Sequence, residues 1–170
     1  NNLKVVLEPF ERGFGYTIGH SLRRILLSYM PGAAVTEVKI EGVAHEYGTI
    51  EGVKEDILDI LLNLKDMAIK LDGSNEAELK LDIKTPKTIL ASDLEVPAGV
   101  EIIDPNHVIA TLVEPKKLVM TLKVCTGVGY EPAENNQNKG VDSLHLDAIF
   151  SPVKRVNYKV ENTRVENRTD

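Results

Sequence analysis

The glycines of Gly13-Phe-Gly-Tyr-Thr-Ile-Gly19 are the first residues whose type and spacing could do chemistry. Glycines that follow a strand and open a helix let backbone N–H groups approach a phosphate, and the helix N-terminus favours the anion. Leu3-Lys-Val-Val-Leu-Glu-Pro9 reads as the strand and Thr17 to Tyr29 as the helix, so a small nucleotide-binding enzyme using the Gly13–Gly19 turn is one reading. Against it, the glycine spacing is one residue too long for the dinucleotide fingerprint, Pro9-Phe-Glu-Arg12 intervenes, and no repeating βαβ pattern follows. The competing reading is a tight turn with close backbone packing.

No other grouping makes a reaction centre. His20, His45, His107 and His145 do not fall at metal-ligand spacing, and Cys125 has no second cysteine. Glu55 and Asp56 suit a helix N-terminus, and Glu8 and Glu11 lie in a turn. Ser21, Ser28 and Ser151 lack an elbow or triad context. No catalytic, cofactor-binding or metal residue is therefore assigned, and a role in binding and assembly is expected.

Bulk properties narrow the partners. A net charge of −6 and a pI near 5.3 argue against a sequence-independent grip on nucleic acid, which needs a basic face. Trp is absent and aromatics are 5%, too few for base-stacking platforms. The single Cys125 excludes an internal disulfide. Its neighbours Leu122, Val124 and Val128 suggest a buried thiol in a reducing compartment. No apolar run reaches membrane-spanning length and no signal-peptide layout opens the chain, so a soluble cytoplasmic protein is expected.

The elements that position these residues follow from periodicity. With Ile18 at zero on a wheel of about 100° per residue, Leu22, Ile25, Leu26 and Tyr29 cluster as a core stripe. Leu27 falls opposite, between Arg23 and Arg24. An apolar residue framed by arginines on the outer face fits either a lone surface leucine or a contact with another chain, where arginine is enriched. His20 lies on the same side and reads as solvated.

Pro31-Gly32 ends the helix, and Val35 to Gly42 alternates as a half-buried strand. Val43 to Thr49 reads as a short strand or turn. Val53 to Leu64 is a helix with Val53, Ile57, Ile60, Leu61 and Leu64 as its stripe, widened by Leu58 and Leu62. Strands follow at 68–71, 78–83, 100–103, 108–112 and 118–124, then at 144–150 and 153–160, with 134–140 as a polar, mobile loop. The fold class is α+β, with mostly antiparallel strands and helices near residues 17–29 and 53–65.

Several blocks also carry a family resemblance. Leu7 to Val38, with Glu11-Arg-Gly-Phe-Gly-Tyr-Thr-Ile-Gly-His-Ser-Leu-Arg-Arg-Ile-Leu-Leu-Ser-Tyr-Met-Pro-Gly32 at its centre, resembles the signature of the N-terminal domain of the bacterial RNA polymerase alpha subunit. His45-Glu-Tyr47, Glu51 to Lys65, Gly127-Val-Gly-Tyr-Glu-Pro-Ala133, Phe150-Ser-Pro-Val-Lys-Arg-Val156 and Arg164-Val-Glu-Asn-Arg-Thr-Asp170 match in the family's order.

The resemblance implies a second, β-rich subdomain (32–150) inserted into a dimerisation and assembly subdomain (1–31 plus 151–170), the latter incomplete at both ends. It implies a non-catalytic scaffold of a nucleotidyltransferase, which pairs with another alpha protomer, identical or a second variant. That pair takes up the beta and beta-prime subunits, whose large chains hold the active site. Arg23, Arg24 and Leu27 would contact beta. Ile18, Leu22, Ile25 and Leu26 would form the core and dimer face. Asp147 and Ser151 would lie toward beta-prime. No direct DNA contact, membrane contact or cofactor is implied for this segment, and the setting would be bacterial cytoplasm or plastid stroma.

Overall fold

A computed structural model describes residues 2–133, 143–165 and 168–169. Its first element is helix α1 (Phe14–Ser28), followed by strand β1 (Pro31–Ile40), helix α2 (Ile57–Lys65) and strands β2 (Ile69–Leu71) and β3 (Glu76–Ile83). Then come β4 (Lys87–Leu90), a 3-10 turn (Ala91–Asp93), β5 (Val100–Ile102), β6 (Val108–Leu112) and β7 (Leu118–Val128). Short strands β8 (Tyr130–Glu131), β9 (Leu144–His145), β10 (Ala148–Ile149), β11 (Arg164–Val165) and β12 (Arg168–Thr169) complete the chain. This is the expected α+β architecture with antiparallel pairing throughout.

The main sheet runs β3-β7-β1-β2-β5, with β9 also on β1. Alternation puts one face of each strand into the core. Leu79, Leu122 and Val38 lie in one cross-strand row, all 0% exposed. Leu81, Met120 and Ile40 form the next row and are equally closed off. Ile57, Ile60, Leu61 and Leu64 of α2 pack into the same cluster, as do Ile89 and Ile109 of the β4–β6 ribbon. Each such side chain contributes about 1.5–3 kcal/mol by leaving water.

Helix α2 starts later than expected. Asp56 is its N-cap, accepting from Asp59 N at 2.8 Å. Glu55 does not support that helix end. Its carboxylate takes Thr111 N at 2.6 Å and Thr111 Oγ1 at 2.9 Å, tying the approach to α2 onto β6. Leu58 and Leu62 do not widen the buried face: they are 45% and 56% exposed, because a 3.6-residue period cannot turn them inward together with Ile60 and Leu61.

Other expectations also shift. Residues 2–10 form no strand, and Leu3, Val5, Val6 and Leu7 stay exposed, since no described strand pairs with them. The run 153–160 likewise has no ladder and lies along α1 instead. The expected strand 144–150 divides into β9 on β1 and β10 on β8. Residues 45–48 are bends, and Thr49 makes an isolated bridge to Asp56. The expected loop at 134–140 lies outside the described residues. Cys125 is half-buried rather than buried: after Val124 the alternation turns it to the outer face, 3.5 Å from Thr36 Oγ1.

Candidate functional site

Helix α1 begins where Gly13 adopts φ 90°, a left-handed conformation that suits glycine. One side of the helix is then held by the extended run 151–160. A Cβ on Gly15 would stand 2.9 Å from Val160 Cγ1, and one on Gly19 would stand 2.5 Å from Tyr158 Cδ2. Arg23 Nε donates to Val156 O at 3.3 Å. Ser151 Oγ donates to Leu26 O at 3.1 Å and accepts from Val153 N at 3.3 Å. The run therefore descends antiparallel to the helix, and two of the three turn glycines are explained by backbone approach to it. Among the described residues no strand precedes the glycines, so they do not form the strand–turn–helix frame of a dinucleotide site.

The rest of α1 is left largely uncovered by the described residues. The helix contributes no buried residue. Leu22 and Ile25 are 40% and 45% exposed, and Phe14 and Tyr29 are also exposed. Ile18 and Leu26 are half-buried. The expected core stripe of Ile18, Leu22, Ile25 and Leu26 is thus not a core within one chain. The helix seats itself through its glycine side, which leaves the stripe uncovered.

The outer residues divide three ways. Arg23 is engaged with Val156 O. Arg24 is exposed and has no hydrogen-bond or ion-pair partner among the described residues. Leu27 is half-buried at a cavity of about 360 Å³, lined also by Ser28, Gly129, Tyr130 and Ile149.

The cavity wall is fixed by Asp147. Its carboxylate accepts Ala133 N at 2.8 Å and a hydrogen bond from Tyr130. The backbone donor holds the Asp147 carboxyl below the usual carboxylate range, with Tyr130 and the Lys65 ammonium acting the same way. Ser151 is only 9% exposed and spends its hydroxyl on Leu26. Asp147 and Ser151 therefore have internal partners: one sets the β8–β10 corner and the other docks the following run on α1.

Sequence reasoning missed the apolar surface beside them. Tyr130 and Ile149 are 58% and 53% exposed next to Leu27, and Leu58 and Leu62 are open on α2, whose Lys65 lies near Asp147. The signal was present in α2, which carries six apolar residues in nine.

His20 is exposed, and His107 Nε2 lies 2.6 Å from Asn63 O. No group of three or more His, Cys, Asp or Glu side chains among the described residues could hold a metal ion. No helix among them is long and apolar enough to cross a membrane.

Comparison with known families adds one finding. A sequence model of the RNA polymerase Rpb3/RpoA insert domain matches residues 38–151, about two-thirds of the chain.

Proposed function

The chain belongs to the RNA polymerase Rpb3/RpoA insert-domain family, and from that premise we propose that it is the N-terminal assembly domain of a bacterial-type alpha subunit. Its place is in DNA-directed RNA polymerase and its role is subunit assembly. In the proposed scheme the chain pairs with a second alpha protomer through the uncovered stripe of α1. The pair then takes up beta through Arg24 and Leu27, and beta-prime on the side of Asp147 and Ser151. Residues 32–150 form the inserted subdomain, and 1–31 with 151–170 form the assembly subdomain. The active site belongs to the large subunits, and the complex works in bacterial cytoplasm or plastid stroma.

The observation that carries this reading is a 15-residue helix without one buried residue, held along one side only. A free arginine and a leucine-lined cavity lie on the part that is left open. A helix of this length usually buries an apolar stripe, and the described residues leave this one largely uncovered, which supports a partner surface there. The bacterial type is favoured by the unbroken resemblance through Glu51 to Lys65 and Gly127 to Ala133.

The test is co-purification with a bacterial beta subunit, comparing the parent with an Arg24→Ala, Leu27→Ala double variant shown to keep the parent's fold and oligomeric state. Retention by the parent and loss by the variant is the expected result. Failure of the folded parent to retain beta refutes the assembly reading. Retention by both keeps the function and removes these two residues from it.

A further inference from the structure

Charge is sorted along this chain. Residues 38–151 hold eleven Lys and Arg against twenty Asp and Glu, whereas the remainder holds nine against six. Ion pairs occur in both parts: Lys70 with Asp72, Lys87 with Asp93, Lys116 with Glu51 and Lys123 with Glu76 in the acidic one, and Lys159 with Glu161 in the other. The excess of cations over carboxylates is confined to the second part. Helix α1 contains no acidic residue at all. Arg12 at its entrance, Arg24 within it, and Lys154 and Arg155 in the run packed along it are exposed and unpaired among the described residues. The helix dipole does not account for the helical arginines, since neither Arg23 nor Arg24 lies in the last turn of α1.

We propose that α1 and the 151–160 run form a cationic rim around an apolar centre, and that the rim selects a large-subunit surface bearing carboxylates. This rests on the assembly reading and specifies the chemistry of its partner. The composition fits an interface better than a nucleic-acid grip. Leu27, with exposed Tyr130 and Ile149 beside it, supplies the apolar centre and leaves the Leu22 and Ile25 stripe to the second protomer, and the chain as a whole is anionic. Such a rim acts mainly on encounter: it raises the association rate and rejects like-charged surfaces, while the apolar centre governs dissociation. The acidic remainder of the chain would repel the same partner surface, which fixes the side from which it docks.

The experiment measures association and dissociation rates with a bacterial beta subunit from about 0.05 to 0.5 M salt. The parent is compared with Arg12→Glu, Lys154→Glu, Arg155→Glu and with the matching Gln triple variant. Both variants keep Arg24 and Leu27, and far-UV dichroism with urea unfolding checks their fold. Expected is a parental association rate that falls with salt, a roughly tenfold slower and nearly salt-independent rate for the Glu variant, an intermediate Gln variant, and little change in dissociation. Equal, salt-insensitive rates for all three overturn the rim while leaving assembly intact. Binding of a DNA duplex lost in the Glu variant, with beta binding unchanged, assigns the cations to nucleic acid and also overturns it. A folded parent that binds no beta at any salt overturns both readings.

Discussion

Replacing Gly19 by alanine gives the sharpest test of how α1 is seated. In an unobstructed helix interior, Gly→Ala is stabilising by about 0.8–1.0 kcal/mol. At Gly19 the new methyl would stand 2.5 Å from Tyr158 Cδ2, 2.7 Å from Cε2 and 2.9 Å from Cγ. Because Cγ is among the atoms struck, a swing of the ring tip does not relieve the clash, and the 156–160 run must lift. Tyr158 is 44% exposed, so lifting it forfeits part of its burial, about 1–2 kcal/mol by the usual area scale. The two terms nearly cancel or leave a net loss of up to about 1 kcal/mol in the parent background. In a Tyr158→Ala background the obstruction is gone and the helix gain of about 1 kcal/mol should appear. Urea unfolding of the four proteins closes a double-mutant cycle with an expected coupling of about 1–2 kcal/mol. Equal stabilisation by Gly19→Ala in both backgrounds would refute the packing of this run on α1, and with it the account of why the other side stays open.

Three further outcomes follow from single contacts. Asp56→Ala removes the side-chain cap of α2 and should cost about 1 kcal/mol in thermal or urea unfolding, with Asp56→Asn nearly neutral. Asp147 has a lowered carboxyl pKa in the folded chain, so its contribution is present above the unfolded value and is lost as pH falls through the folded one. Stability of the parent should therefore drop more steeply below about pH 4 than that of Asp147→Asn, and parallel acid profiles would exclude the Asp147 bonds to Ala133 and Tyr130. Added nucleotides should leave the melting temperature unchanged, because Gly15 and Gly19 face Val160 and Tyr158; a saturable rise would revive a phosphate site at that turn.

Much of the framework was legible because burial follows simple periods. The alternation of Leu118, Met120, Leu122 and Val124 marks β7, and the run Ile57, Ile60, Leu61 and Leu64 marks the buried face of α2. What escaped was decided by partners distant in sequence. Leu3 to Leu7 has the composition of a strand and no ladder to join. Glu55 looked like a helix-end charge and is spent on Thr111, 56 residues away. β4 was missed because four residues, Lys87 to Leu90, carry too little pattern until Ala110 and Thr111 pair with them. The arginines and Leu27 were legible as candidates from the wheel, but their division into an engaged, a free and a cavity-lining residue depends on the 151–160 run, which takes Arg23, and on Tyr130 and Ile149, which flank Leu27, and no local pattern places either on α1.

The seat of Phe150 has a further consequence. Gly32 and Gly127 are paired across β1 and β7, and Phe150 lies on both: its carbonyl occupies the space a Cβ on Gly32 would need, and its ring that of Gly127. The polypeptide thus passes from α1 into β1 at Pro31 and comes back beside that same point before Ser151, so the residues between close a loop at this seat. Closing a loop costs entropy that grows only with the logarithm of its length, about 0.6 kcal/mol per doubling. That seat is therefore little affected by how long the loop is. Turns far from this glycine-lined seat can gain or lose residues at little cost to it.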